Sequence, residues 1–140
     1  MDDRLLLDRI KEVWFKDGEE EILFVGATNA YHYQAIGDCC SESWFADVIG
    51  LDALLAGPVL IVRTIEMPDY NVSDGRGRQQ EDQAYGVELV TTGGVCTIVY
   101  RNSSNGYYGG KCEFVDEHTI QASRVLTFED WRRLTEDYNG

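Results

Sequence analysis

The chain has 140 residues and a formal net charge of −13, from 25 acidic against 12 basic side chains. Such a field repels nucleic-acid backbones and anionic membranes over about a Debye length, roughly 8 Å at physiological salt, which argues against direct DNA or RNA binding. Hydrophobic residues at 44% and aromatics at 11% exclude a disordered chain and fit one globular domain over residues 1–140.

The acids are spread along the chain, with a run only at Glu19 to Glu21. They read as a solubilising surface or, more sharply, as a polyanion mimic that competes for a basic groove on a partner protein. No window approaches the ~18 apolar residues of a membrane span, and Met1-Asp2-Asp3-Arg4 lacks a basic export region. A cytoplasmic location is expected, with the 4 cysteines as thiols.

Asp2 or Asp3 can cap one or two helical turns over residues 2–8. Ile10 to Phe15 is ambiguous, because Leu6, Ile10 and Val13 share a helical face while Val, Trp and Phe favour strands. The Asp17-Gly18 turn favours a strand paired with Glu21 to Val25. Tyr31 to Ile36 forms the next strand, with Tyr31, Tyr33 and Ala35 on one face and His32, Gln34 and Ile36 on the other.

Gly50 to Pro58 reads as a short helix stopped by Gly57, and Val59 to Ile65 as a central strand. Residues 68–83 are almost wholly polar and are expected to be a flexible surface loop. Tyr85 to Thr91, Val95 to Tyr100 and Tyr107 to Val115 then read as a meander, turning at Gly93-Gly94 and at Ser103-Ser104-Asn105-Gly106. A short strand is expected at Ile120 to Val125. A C-terminal helix at 127–138 closes the chain, with Thr127 as cap and Phe128, Trp131 and Leu134 at helical spacing. The expected fold is α+β: a mainly antiparallel meander of about five to seven strands with a short central helix and the C-terminal helix.

Two segments carry unusual chemistry. One is Gly37-Asp38-Cys39-Cys40-Ser41-Glu42-Ser43-Trp44, with His32 seven residues before Cys39, and the other is Ser103-Ser104-Asn105-Gly106-Tyr107-Tyr108. Cys, His and Asp are zinc ligands, but adjacent cysteines on a strand point oppositely and structural sites space their cysteines by about two to four residues, so no metal or other cofactor is assigned. A thiol nucleophile at Cys39 or Cys40 with His32 as base is opposed by Asp38 and Glu42, whose charge raises thiol pKa values, and no catalytic residue is assigned. His118 falls in the polar run Asp116-Glu117-His118, read as a solvated turn. Cys96 and Cys112 face each other or lie on opposite faces according to the length of the Asn-Gly turn, which favours two separate buried thiols.

His32 with Asp38-Cys39-Cys40-Ser41-Glu42, Asp47-Val48-Ile49-Gly50-Leu51, Leu54-Leu55-Ala56-Gly57-Pro58 and Ser104-Asn105-Gly106-Tyr107-Tyr108 resembles, in that order, an uncharacterised small domain family of bacteriophages and bacteria. The chain departs from the family pattern in the longer step from His32 to Asp38, in Ser41 before Glu42 and in Gly109. The resemblance implies a phage or mobile-element setting and a mostly β, antiparallel domain.

The leading reading is a non-enzymatic, phage-type accessory protein that binds a protein partner, in its sharpest form an acidic inhibitor of a host nucleic-acid-handling or defence protein. Its binding residues would be His32, Asp38, Cys39, Cys40, Glu42, Asn105, Tyr107 and Tyr108. The alternatives are a nucleotide-like ligand binder, with donors from Arg63, Arg76, Arg78 or Arg101, and a metal or thiol enzyme.

Overall fold

The computed structural model describes residues 3–37, 42–67, 81–104, 110–119 and 131–134. After one 3-10 turn at Asp3–Leu5 come β1 (Ile10–Lys16), β2 (Glu21–Gly26), β3 (Asn29–Gly37), β4 (Glu42–Ile49), α1 (Leu51–Leu55), β5 (Ile61–Glu66), β6 (Glu81–Thr91), β7 (Gly94–Ser104), β8 (Gly110–Thr119) and β9 (Trp131–Arg133). The strands form two antiparallel sheets, ordered β8-β3-β2-β1-β9 and β4-β7-β6-β5. Ile10, Val13, Phe15, Phe24, Tyr31 and Tyr33 from the first sheet share one buried core with Phe45, Val48, Val87, Leu89, Ile98 and Tyr100 from the second.

The β1–β2 and β2–β3 hairpins form as expected. Gly18 and Glu19 take positive φ angles of 89° and 59° at the first turn, and the Glu19 amide donates to the Lys16 carbonyl at 2.8 Å. The helix-or-strand ambiguity of β1 has a physical origin: its register against β2 shifts between Ile10 and Glu12, so Ile10 and Val13 both face inward three positions apart. A β-bulge thereby imitates helical spacing. In β3, Tyr31, Tyr33 and Ala35 are buried while His32, Gln34 and Ile36 are half-buried on the opposite face. The short helix before Pro58 and the β6–β7 hairpin also match expectation.

Four expectations are corrected. The α+β class gives way to a mostly β fold in two sheets, because no C-terminal helix is present among the described residues. Trp131–Arg133, inside the expected helix at 127–138, pair with β1 instead, and the Leu134 amide donates to the Val13 carbonyl at 2.8 Å. The edge of β1 supplies backbone partners, and tertiary pairing overrides the local helical pattern.

The meander stops after β7, since β8 pairs with β3 in the other sheet. Val59 to Ile65 is no central strand, because β5 lies at the margin of its sheet and leaves Ile61 exposed. Asp116 to His118 belong to β8, not to a turn. Residues 68–80 of the expected loop and the expected strand at 120–125 lie outside the described residues, and Glu81 already opens β6.

One buried carboxylate ties the start of the chain to the β2–β3 turn. Asp8 Oδ1 accepts from the Ala27 and Thr28 amides at 2.9 and 3.3 Å. Its Oδ2 accepts from Thr28 Oγ1, the Asn29 amide and the Tyr31 hydroxyl at 2.8, 3.4 and 2.8 Å. Gly26 makes room for it, since a Cβ there would lie 2.4 Å from Asp8 Oδ2. Burial alone would raise the Asp8 carboxyl, but the hydrogen bonds from Tyr31, Thr28, Ala27 and Asn29 hold it below its ordinary value. Burial and the Asp8 hydrogen bond push the Tyr31 phenol up to about 12.

Because the Asp8 carboxyl is depressed on folding, its stabilisation is present above the ordinary value of 3.8 and drains away as pH falls through the folded value. Asp8→Asn is expected to lower stability by about 2–4 kcal/mol at neutral pH, since the amide cannot replace all these charged hydrogen bonds. Urea unfolding at pH 7 and pH 3 checks this: the gap between wild type and variant should shrink at the lower pH.

Candidate functional site

The residues that bound the two chemically unusual segments lie in paired strands. β3 ends at Gly37, paired with Gly110 at the start of β8. β4 begins at Glu42, paired with Ser103 near the end of β7. Residues 38–41 and 105–109 therefore both connect the first sheet to the second, at one end of the domain. Glu81, which opens β6, pairs with Ser104 at the same end.

Beneath this end lies a polar layer. The Ser43 hydroxyl donates to Asn102 Oδ1 at 2.7 Å, both residues being buried cross-strand partners. On the opposite face of the same ladder, Arg101 is fully buried, with its guanidinium carbon 4.7 Å from the centroid of the Trp44 ring. A buried arginine over an indole combines cation–π attraction with apolar packing, in a setting where arginine is rarely found without compensation. Tyr85 stacks on Tyr100 at 5.2 Å, and Tyr100 meets Phe45 edge-on at 6.4 Å. Burial, then the charges of Cys112 and Tyr85, push the Tyr100 phenol up to about 12.

Of the residues singled out in the sequence, Asp38, Cys39, Cys40, Asn105, Tyr107 and Tyr108 lie outside the described residues, and Glu42 is placed through its backbone. His32 lies elsewhere. It sits mid-strand, about 16 Å of extended chain from Gly37. Its Nε2 is 2.7 Å from Glu21 Oε1, and Lys16 Nζ is 3.0 Å from Glu21 Oε2. The Trp131 ring meets the imidazole edge-on at 5.4 Å. His32 and Trp131 belong to strands separated by β1 and β2, so the two rings reach toward each other over the outer face, where Leu23 is fully buried.

Cys96 and Cys112 form no disulfide. Burial, then the Asp52 carboxylate, push the Cys96 thiol up to about 12, which makes it inert as a nucleophile. Among the described residues, no three His, Cys, Asp or Glu side chains are grouped to hold a metal ion, and no helix is long and apolar enough to cross a membrane.

Ser43 and Trp44 belong to the first distinctive segment but were assigned no binding role, Asn102 was not singled out, and Arg101 entered only as a potential ligand donor. The legible signal was Trp44 at the end of the first segment and Arg101-Asn102 just before the second, which becomes informative only once β4 and β7 are known to pair.

A small two-sheet β domain with its distinctive segments at one end is the class that this architecture defines. The chain belongs to the family described as domain of unknown function (DUF7448), whose model matches residues 3–114. That span includes every strand from β1 to β7, whereas β9 lies beyond it. No curated protein and no solved structure matches the chain.

Trp131→Ala is expected to loosen β9 without unfolding the sheets, costing about 1–2 kcal/mol for a half-buried ring in contact with His32. The check is amide hydrogen exchange at Leu134, whose protection through Val13 should fall while that of the β6–β7 ladder persists.

Proposed function

We propose that the domain is a non-enzymatic accessory protein of phage type that acts in the cytoplasm by binding a macromolecular partner. We take that partner to be a host protein that handles nucleic acid or serves in defence. The observation that carries this reading is the joint anchoring of residues 38–41 and 105–109 through the Gly37–Gly110 and Glu42–Ser103 pairs. The residues that flank Asp38, Cys39, Cys40, Asn105, Tyr107 and Tyr108 in the chain are thus held by two hydrogen-bonded ladders.

Charge supplies the second support. A field of −13 steers a basic surface toward the domain and raises its association rate, while it repels nucleic acid itself. A protein that normally grips a nucleic-acid backbone presents such a basic surface, and an acidic domain competes for it. The phage-type setting rests on the motif resemblance alone.

Capture from host lysate on the immobilised chain tests the reading. A Lys/Arg-rich partner should be retained at low and moderate salt and released as salt rises. The Tyr107→Ala, Tyr108→Ala double variant should lose it by about 2 kcal/mol or more, as aromatic anchors do at interfaces, while unfolding like the wild type. Recovery of no partner under either salt condition would sink the proposal.

A further inference from the structure

Among the described residues four strands form the sheet margins: β8 and β9 in the first sheet, β4 and β5 in the second. Natural sheets blunt such edges by shortness, bulges or cover. β9 is three residues long. β8 carries a register shift opposite His32 and Tyr33, and β4 carries one between Phe45 and Asp47. β4 is further tied to the first sheet, since the Phe45 amide donates to the Glu19 carbonyl at 2.7 Å.

Among the described residues no strand pairs with the outer edge of β5, and its one irregularity lies before Ile61. Its register against β6 runs unbroken from Ile61↔Val90 to Glu66↔Tyr85. Past Glu66 the Met67 amide continues the ladder by donating to the Ala84 carbonyl, whereas before Ile61 the Leu60 amide donates out of register to the carbonyl of Val90, the partner of Ile61. In an antiparallel ladder hydrogen-bonded and non-hydrogen-bonded positions alternate, so bonding at Met67 assigns Ile61, Arg63 and Ile65 to β6. The amides of Val62, Thr64 and Glu66 then face away from it. Apolar surface accompanies this edge: Ile61, Val90 and Val95 form one cross-strand row, with Ile61 45% and Val95 41% exposed, and Leu60 beside it is 47% exposed.

We infer that the β5 edge is a strand-addition site that accepts an extended segment of a basic partner protein. The outward amides and carbonyls of Val62, Thr64 and Glu66 supply main-chain hydrogen bonds, and the Ile61 row receives an apolar side chain of the added strand. Charge selects the occupant. A second copy brings the same −13 and is repelled, whereas a segment with Lys or Arg among its apolar residues is attracted by the field and by exposed Glu66. Arg63 offers little opposition, because its Nε already donates to Glu88 Oε1 at 2.6 Å.

This assignment deepens the partner-binding reading and rests on it, by naming a surface and a partner chemistry. The test is selection of short linear peptides from a yeast-displayed library against the wild-type chain. Two variants follow. Thr64→Pro removes an outward amide at a sheet margin, where proline is tolerated, and Ile61→Lys places a cation on an already exposed position without touching the ladder.

Enriched peptides should alternate apolar residues with Lys or Arg, weaken by about tenfold or more on each variant, and protect the amides of Val62, Thr64 and Glu66 from exchange. An empty selection, or peptides that bind both variants as tightly as wild type, overturns the assignment. A lysate partner that holds Thr64→Pro and Ile61→Lys as well as wild type also overturns it, yet leaves partner binding itself standing.

Discussion

A strand has two edges, and β7 has filled both: β6 pairs along one and β4 along the other. β8 therefore has no place beside β7, although residues 105–109 are all that separate them. It crosses to the open edge of β3 and completes the first sheet. The same constraint acts on β3, which is followed not by a strand of its own sheet but by β4 across the core. The chain therefore passes between the sheets twice, after Gly37 and after Ser104. The end where both distinctive segments are anchored is thus a product of strand pairing.

The far side of the first sheet is secured by different means. Asp8 gathers the β2–β3 turn through its carboxylate, and the Gly26 backbone approaches closely because no Cβ intervenes. β9 covers the edge of β1, with Trp131 against His32. Polar groups thus fix turns and margins while apolar side chains fill the space between sheets, the division expected where each buried acceptor must find its donors. His32 belongs to this scaffold, held by Glu21 and Trp131.

Much of the local structure could be read from the chain. The β1–β2 turn announced itself through Asp17-Gly18, and the alternation of Tyr31, Tyr33 and Ala35 gave the correct inward face of β3. Pro58 and Gly57 bounded the helix. Sheet membership was not legible, because the Ser-Ser-Asn-Gly run has the composition of a hairpin turn and nothing local reports that β7 is already flanked. Trp131 and Leu134 have helical spacing, yet the partner that decides their conformation, the edge of β1, lies more than a hundred residues earlier. Val59 to Ile65 looked central because it is apolar, and it is the exposed edge for which that apolarity calls for a reason. Of the site, the sequence yielded the segments but neither their common base nor the buried Arg101–Trp44 layer beneath it.

The two sheets meet at the end of the domain where Gly37 pairs with Gly110 and Glu42 with Ser103. That arrangement depends above all on β8 pairing with β3 and not with β7. Nuclear Overhauser contacts between backbone protons decide it. The account predicts cross-strand contacts between Ala35 and Cys112 and between Ser43 and Asn102. Contacts joining Tyr100 to Lys111, as in a β7–β8 hairpin, with none between Ala35 and Cys112, would contradict it.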